Sequence, residues 1–431
     1  MDTTVDAKAR QSKSRANKVL IGCILLIAVE YGTLNILSLY IEPICTTLGV
    51  DATAVSFMFT ITNIVSVASG FLVALLIEKV NPRLIMFTGV ICFMLFFGIL
   101  YVATSIVMIY VGAVFYGVSQ VFVGFAVTQP LISWWHAKNV GMKMSSLSLA
   151  MSVGALIMAP TIGSALPALG MPGTVLVNGG VLGVLMLIAV AFLISGKPET
   201  YGLKPYGYEE AQEEVAQEEL AGEASVASGL TFKQCLKTYP FWAILFVPFL
   251  LYIPGNGFVT NEAVIFQSCG FDSGGVSMLM SVYSGCMIVW VLLYGFLSDH
   301  IGPAKASIIY AIGGIVCLLG FVILGGQAGA IFLAVTIGII NSFSGMIAAI
   351  MFGKLFGTRA VGTLIAVGNI VGGVAAAVAP PIASFINAAT GSFTAFMVLS
   401  AVIVVVVLFL LVTATSKRQV ARIQALEASG E

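Results

Sequence analysis

Glu30 is the residue whose placement most invites chemistry. It stands in the middle of an apolar run, about 19–41, with no Lys or Arg at its depth. A lone acid inside hydrocarbon costs roughly 2.5–3.5 kcal/mol or more, so such a residue is a functional candidate by default. Neutralising it with a proton is the cheapest way to keep it there, which is what a proton-coupling site requires. Amides and phenols come next. Tyr31, Asn35, Ser38 and Glu42 recur at helical spacing and share one face, as do Tyr252, Asn256 and Thr260. Gln120 shares a face with Gly117, Gly124 and Thr128, and Asn341 with Gly338 and Gly345. Amides both donate and accept, so they suit a carboxylate, an alcohol or an amide equally. Asn63, Tyr116, Tyr283, Trp290 and Asn369 are further polar groups inside apolar runs. Glu42, Asp51, Glu262 and Asp272 fall at the ends of runs or in loops.

Other chemistries find no support. The two histidines, His136 and His300, are placed at the surface by their flanking residues, and no His/Cys/Asp/Glu group has metal-ligand spacing. The seven cysteines form no CxxC pair and mostly lie in apolar runs, where they read as small buried hydrophobes. No phosphate-binding Gly-x-x-x-x-Gly-Lys-Ser/Thr stretch occurs. No metal, no cofactor and no enzymatic activity is expected.

The elements that position these residues follow from composition. Of 431 residues, 59% are hydrophobic and 9% charged, against roughly 25% charged in a soluble domain. Nineteen basic and nineteen acidic residues leave no net charge to attract a nucleic acid. A bilayer core needs roughly 20 apolar residues as helix. Such runs fall near 19–41, 52–77, 84–104, 106–135, 144–166 and 173–195, then near 241–266, 274–297, 306–325, 328–353, 361–386 and 393–415. The chain therefore reads as an all-α polytopic membrane protein of twelve spans. Residues 1–18 form an N-terminal tail, 19–196 a first six-helix bundle, 197–238 an acidic linker, 239–416 a second six-helix bundle, and 417–431 a C-terminal tail. Every Lys and Arg lies in the tails, the linker or the loops after even-numbered spans. By the positive-inside rule both termini and the linker are cytoplasmic. The linker's glutamates, from Glu209 to Glu223, read as a solvated connection between two bundles. Trp134 and Trp135 read as interfacial belt residues.

The two halves repeat. Tyr31 and Asn35 fall on Tyr252 and Asn256 at an offset of 221 residues, and the same offset pairs Asp51 with Asp272, Pro82 with Pro303, Gln120 with Asn341 and Pro160 with Pro381. Scarce residue types recurring without gaps indicate parallel repeats related by an axis along the membrane normal.

The stretch Gly295-Phe-Leu-Ser-Asp299-His-Ile-Gly302-Pro303-Ala-Lys305 resembles the loop motif of the major facilitator superfamily, and Glu78-Lys-Val-Asn-Pro82-Arg83 is a degenerate first-half copy. The resemblance covers the whole chain. Tyr40-Ile-Glu-Pro43 leading to Leu48-Gly49-Val-Asp51, with Trp134-Trp135 leading to Gly141, is similar to the monocarboxylate-transporter and oxalate:formate-antiporter branch. The resemblance implies that spans 1, 4, 7 and 10 line a central cavity, which makes Asn35, Gln120, Asn256 and Asn341 a pseudo-symmetric ring, with Tyr31 and Tyr252 beside it. It also implies that Glu78, Arg83, Asp299, Lys305 and Arg359 form a cytoplasmic gate, with Glu78 near Arg359 at the start of span 11 and Asp299 near Lys138 at the start of span 5. That branch holds a carboxylate with a basic residue, usually an Arg in span 8. Here span 8 has neither Arg nor Lys, so a carboxylate loses that support.

The expected function is secondary active transport of a small organic solute, an organic anion such as a mono- or dicarboxylate, by proton symport or exchange through alternating access. Glu30 would carry the proton. The alternatives are a transporter or exporter of a neutral or cationic solute, and a transport-inactive sensor signalling through the acidic linker. The expected partners are the solute, a proton or counter-substrate, and membrane lipid, around a monomer in a bacterial inner membrane.

Overall fold

A computed structural model describes residues 2–77, 79–137, 140–208, 230–356, 361–416 and 418–423; within these, no side-chain placement is described for 2–9, 140, 141, 345, 346, 348–350, 361, 362, 365, 366 and 369. Every long element is a helix. They are α1 (Asp2–Ile36, continued by Leu37–Tyr40 and Ile41–Leu48), α2 (Ala52–Leu76), α3 (Pro82–Val102) and α4 (Ile106–Phe122 and Phe125–Trp135). Next come α5 (Val140–Leu176), α6 (Gly183–Phe192), α7 (Tyr239–Ser268), α8 (Ser273–Ile301) and α9 (Pro303–Leu324). The last are α10 (Gly326–Thr336 and Gly338–Phe356), α11 (Val361–Thr390) and α12 (Thr394–Ala414). In hydrocarbon a backbone must satisfy its own N–H and C=O groups, and a helix does so within one segment.

Eleven stretches among the described residues are long and apolar enough to cross a membrane. One of them, Met142–Phe192, runs for 51 residues, about 75 Å as continuous helix. Gly170 breaks it with φ 65° and ψ 178°, a conformation that glycine adopts without penalty. Two spans lie within that stretch, which restores the expected twelve. α5 continues through Pro160, and α11 through Pro380 and Pro381.

The polar N-terminal stretch is helical, since α1 runs from Asp2 into the first span. The loop-motif residues have local reasons. Gly302 takes φ 85°, and Pro303 opens α9, where its missing N–H costs nothing. Asn81 caps α3 by accepting from the Arg83 N–H at 3.0 Å.

The chain falls into two compact units. One is 1–37 with 64–224, and the other is 38–63 with 225–431. Sequence alone assigned 38–63 to the first bundle; the side chains of Ser56 and Asn63 instead bond to groups on α7 and α11.

In the first unit α1 lies directly on α5. A Cβ at Gly154 would collide with the Ala28 carbonyl, and one at Gly32 would collide with Gly154 itself. Small residues allow this approach, which is how helices associate where lipid offers no hydrophobic drive. The basic end of this unit is clasped. Ala137 N–H donates to the Tyr206 carbonyl at 2.9 Å, and Tyr206 N–H to the Trp135 carbonyl at 2.8 Å. Lys13 and Lys143 each lie 5.7 Å from the Tyr206 ring, and Arg15 lies 4.0 Å from the Tyr201 ring. Trp135 is fully buried, with Nε1 donating to the Gly196 carbonyl at 2.9 Å, so it is not a belt residue. His136 is buried too, not at the surface. The segment after the sixth span folds back over both, which their immediate neighbours in sequence could not reveal.

Candidate functional site

Glu30 is fully buried inside the first unit. Its Oε2 accepts from Ser119 Oγ on α4 at 3.0 Å, and its backbone carbonyl accepts from the Tyr116 hydroxyl at 3.1 Å. Tyr116 in turn packs on Phe93 and Phe96 of α3, with ring centroids 6.2 and 4.9 Å away. Oε1 has no hydrogen-bond partner among the described residues. The acid thus points into the bundle formed with α3 and α4, one oxygen held and the other free.

Tyr31 follows Glu30 in the chain, so it projects about 100° further around α1. It is half-buried, with its ring 5.0 Å from that of Phe125. Gln120 is half-buried as well, and its Oε1 accepts from Ser66 Oγ at 2.5 Å. Asn35 donates to the Tyr31 carbonyl of its own helix at 2.8 Å, which leaves its Oδ1 outside that bond. The expected first-half site therefore separates into a buried acid and a half-buried face of amide and phenol.

In the second unit Asn341 Nδ2 donates to the Tyr283 hydroxyl at 3.0 Å, joining α10 to α8. Tyr252 lies over Gly372 of α11, where an added Cβ would stand 2.9 Å from its ring. Asn256 Nδ2 donates to the Ala376 carbonyl at 2.7 Å, and Asn63 Nδ2 donates to the same oxygen at 3.1 Å. Pro380 explains that shared acceptor. It stands four residues after Ala376 and has no N–H, so the Ala376 carbonyl lacks its usual helical partner. Asn63 and Asn256 satisfy what the proline leaves open, as neighbouring side chains do in membrane helices.

A second polar cluster lies further along α7. Ser56 and Ser384 hydroxyls are 2.5 Å apart, Ser384 donates to Asn261 Oδ1 at 2.7 Å, and all three side chains are buried. Glu262 follows directly. It is 1% exposed, and its Oε1 has no hydrogen-bond partner among the described residues. It stands near the end of its helix, as expected, but it is buried there, so each unit holds a buried acid. Glu42 does lie near an end, accepting from Gln267 Nε2 at 2.6 Å.

The remaining expected residues divide. Trp290 donates to the Val335 carbonyl at 2.8 Å and packs against Gly338, so it ties α8 to α10. Arg83 bonds the Ala191 carbonyl at the end of α6. Asp299 and Lys305 are exposed. Glu78, Lys138 and Arg359 lie outside the described residues, as does the side chain of Asn369. No group of three or more metal-binding side chains occurs among the described residues. An apolar groove of about 300 Å³ between Phe57 and Phe385 takes no part in these polar clusters. Sequence reasoning missed Ser66, Ser119, Asn261, Ser384 and the burial of Glu262. Only the proline-to-carbonyl spacing at 376 and 380 carried a readable signal.

Two units built of long apolar helices define a multi-pass membrane protein. The sequence profile of the Major Facilitator Superfamily matches residues 23–380, and the chain belongs to that family. It is 24% identical to the oxalate:formate antiporter of Oxalobacter formigenes over 308 residues, covering 70% of this chain and 68% of that one. Its fold is similar to that of a variant of the nucleoside transporter NupG, with a TM-score of 0.70, 12% identity and coverage of 93% and 100% of the two chains. It is also similar to that of a bacterial homolog of the human lysosomal transporter Spinster, with a TM-score of 0.69, 12% identity and coverage of 92% and 96%. General secondary transport, rather than enzymatic chemistry, is the function these relationships support.

Proposed function

We propose that the protein moves a small organic anion, of the mono- or dicarboxylate class, by proton symport or by exchange through alternating access. The observation that carries this reading is Glu30: fully buried, one oxygen held by Ser119, the other without a partner. Such a carboxyl can take and give a proton without breaking an ion pair, because none of the described residues forms an ion pair with it. The relationship to an oxalate:formate antiporter supports the substrate class. Tyr31, Asn35, Gln120, Tyr252, Asn256 and Asn341 would bind the solute through amide and phenol donors. Glu78, Arg83, Asp299, Lys305 and Arg359 would gate the basic side. Residues 19–196 and 239–416 would act as the two bundles, with both termini and the linker cytoplasmic, in a monomer of a bacterial inner membrane.

A second reading has its own observation. No Lys or Arg lies in α7 through the described part of α8, where the related branch holds its anion. A neutral or cationic solute would need none. Purified protein in liposomes, tested for uptake of labelled oxalate, formate, uridine and an organic amine with and without an inward proton gradient, separates the two. Uptake of the acids supports the anion reading. Uptake confined to uridine or the amine replaces it.

A further inference from the structure

Glu262 is absent from every role assigned so far, yet it is the second unit's counterpart to Glu30 in burial. It is not a repeat equivalent, since Glu30 plus 221 falls on Leu251. Phe258, Glu262 and Phe266 stand four residues apart on one face of α7, and both rings are fully buried. Phe258 meets Tyr283 of α8 edge-on, with centroids 5.5 Å apart and planes at 74°, and Phe266 lies 5.9 Å from Phe258. Glu262 therefore lies on the same buried face of α7 as two aromatic rings, one of which, Phe258, packs on Tyr283 of α8. The Tyr283 hydroxyl in turn accepts from Asn341.

No counter-charge is built in. Among the described residues α7 and α12 carry no Lys or Arg, α10 has only Lys354 in its last turn, and α11 carries no charged residue. On α8 the charged or titratable groups besides Tyr283 are Cys286, Tyr294, Asp299 and His300, from one to about five helical turns past Tyr283. The acids of the segment 38–63 are Glu42, which accepts from Gln267, and Asp51, which is exposed. A carboxyl with a free, buried Oε1 and no base beside it is not a structural ion pair.

We propose that Glu262 is a second proton-binding site, which senses the solute through Tyr283 and Asn341. The proton sits on the free carboxyl oxygen. The Tyr283 hydroxyl accepts from Asn341, and the Tyr283 ring packs on Phe258, one turn from Glu262. A solute that takes the Asn341 amide changes the phenol's bonding and so changes how firmly Glu262 holds its proton. This rests on the reading of the protein as a transporter, but its test does not need the right solute.

The test is infrared difference spectroscopy on purified protein in lipid, following the protonated carboxyl C=O band as pH is raised, for wild type, Glu30→Gln, Glu262→Gln, Glu262→Asp and Tyr283→Phe. The expected result is a band that weakens with rising pH, persists in Glu30→Gln, loses one carboxyl's intensity in Glu262→Gln and survives in Glu262→Asp. In Tyr283→Phe its titration midpoint shifts. Should Glu262→Gln fail to fold, Glu262→Asp and Tyr283→Phe decide by whether they move the band. A band equal to wild type in Glu262→Gln, or one that is lost there but ignores pH in wild type, overturns the proposal. Absence of oxalate and formate uptake by wild type would count against the substrate reading alone, and the band would still decide this one.

Discussion

At the scale of single residues, Glu30 and the amides divide the labour that a coupled transporter needs. Glu30 is sealed behind α4, whereas Tyr31 and Gln120 keep part of their surface open. Glu30→Gln should abolish gradient-driven accumulation while leaving substrate exchange measurable, because the amide keeps the Ser119 contact and removes the proton. Counterflow and proton-driven uptake, measured on the same vesicles, distinguish the two. If gradient-driven uptake survives intact, the coupling role is wrong. Ser119→Ala should leave transport present with an altered pH profile, since it removes the one side-chain hydrogen bond recorded to the carboxyl. A lost hydrogen bond to a charged or ionisable group is worth about 1.5–3 kcal/mol.

At the scale of elements, close helix packing and freed backbone groups set the geometry. Gly154 is pressed against the Ala28 carbonyl, so Gly154→Leu should separate α1 from α5. Overpacking of this kind costs about 1–3 kcal/mol or more, read as a lower melting temperature in detergent. Pro380→Ala should return the Ala376 carbonyl to its helix and weaken its bonds to Asn63 and Asn256. The expected readout is impaired transport in protein that is no less stable, because the helix itself gains a bond. The clasp at the end of α4 should respond to acid. Burial, reinforced by the charge of Lys143, pushes the His136 imidazole down to about 4. An unfolded histidine titrates near 6.5, so between those values the unfolded chain binds the extra proton, and stability falls as pH drops through that window. His136→Gln should flatten this part of the melting-temperature profile between pH 7.5 and 5.

At the scale of the whole molecule, the acidic segment inside 197–238 and the choice of solute are the open tests. Deleting residues 209–224 should leave transport intact if the segment only links two bundles; a loss of transport would give it a working role. A solute at 100 times its dissociation constant adds about 2.7 kcal/mol of apparent stability. A thermal-shift panel of carboxylates, sugars, amides and amines should therefore single out the class that binds. A shift with carboxylates would show that amides and phenols replace the missing arginine.

The sequence by itself determined the class of protein, because hydrophobic run length, charge placement and a gapless repeat are local or linear signals. Twelve spans, the acid Glu30 in the middle of its run, the amide positions and the family motif were all legible in that way. Tertiary structure decided which polar groups meet. Asn341 and Tyr283 are 58 residues apart, and Ser66 and Gln120 are 54 apart; no spacing rule connects them. It decided that Glu262, four residues short of the predicted end of its span, is buried, and that His136 and Trp135 lie under a returning segment. It also decided that 38–63 packs with the second unit. Burial depends on what the rest of the chain brings to a residue, and a hydropathy pattern records only what the residue brings to itself.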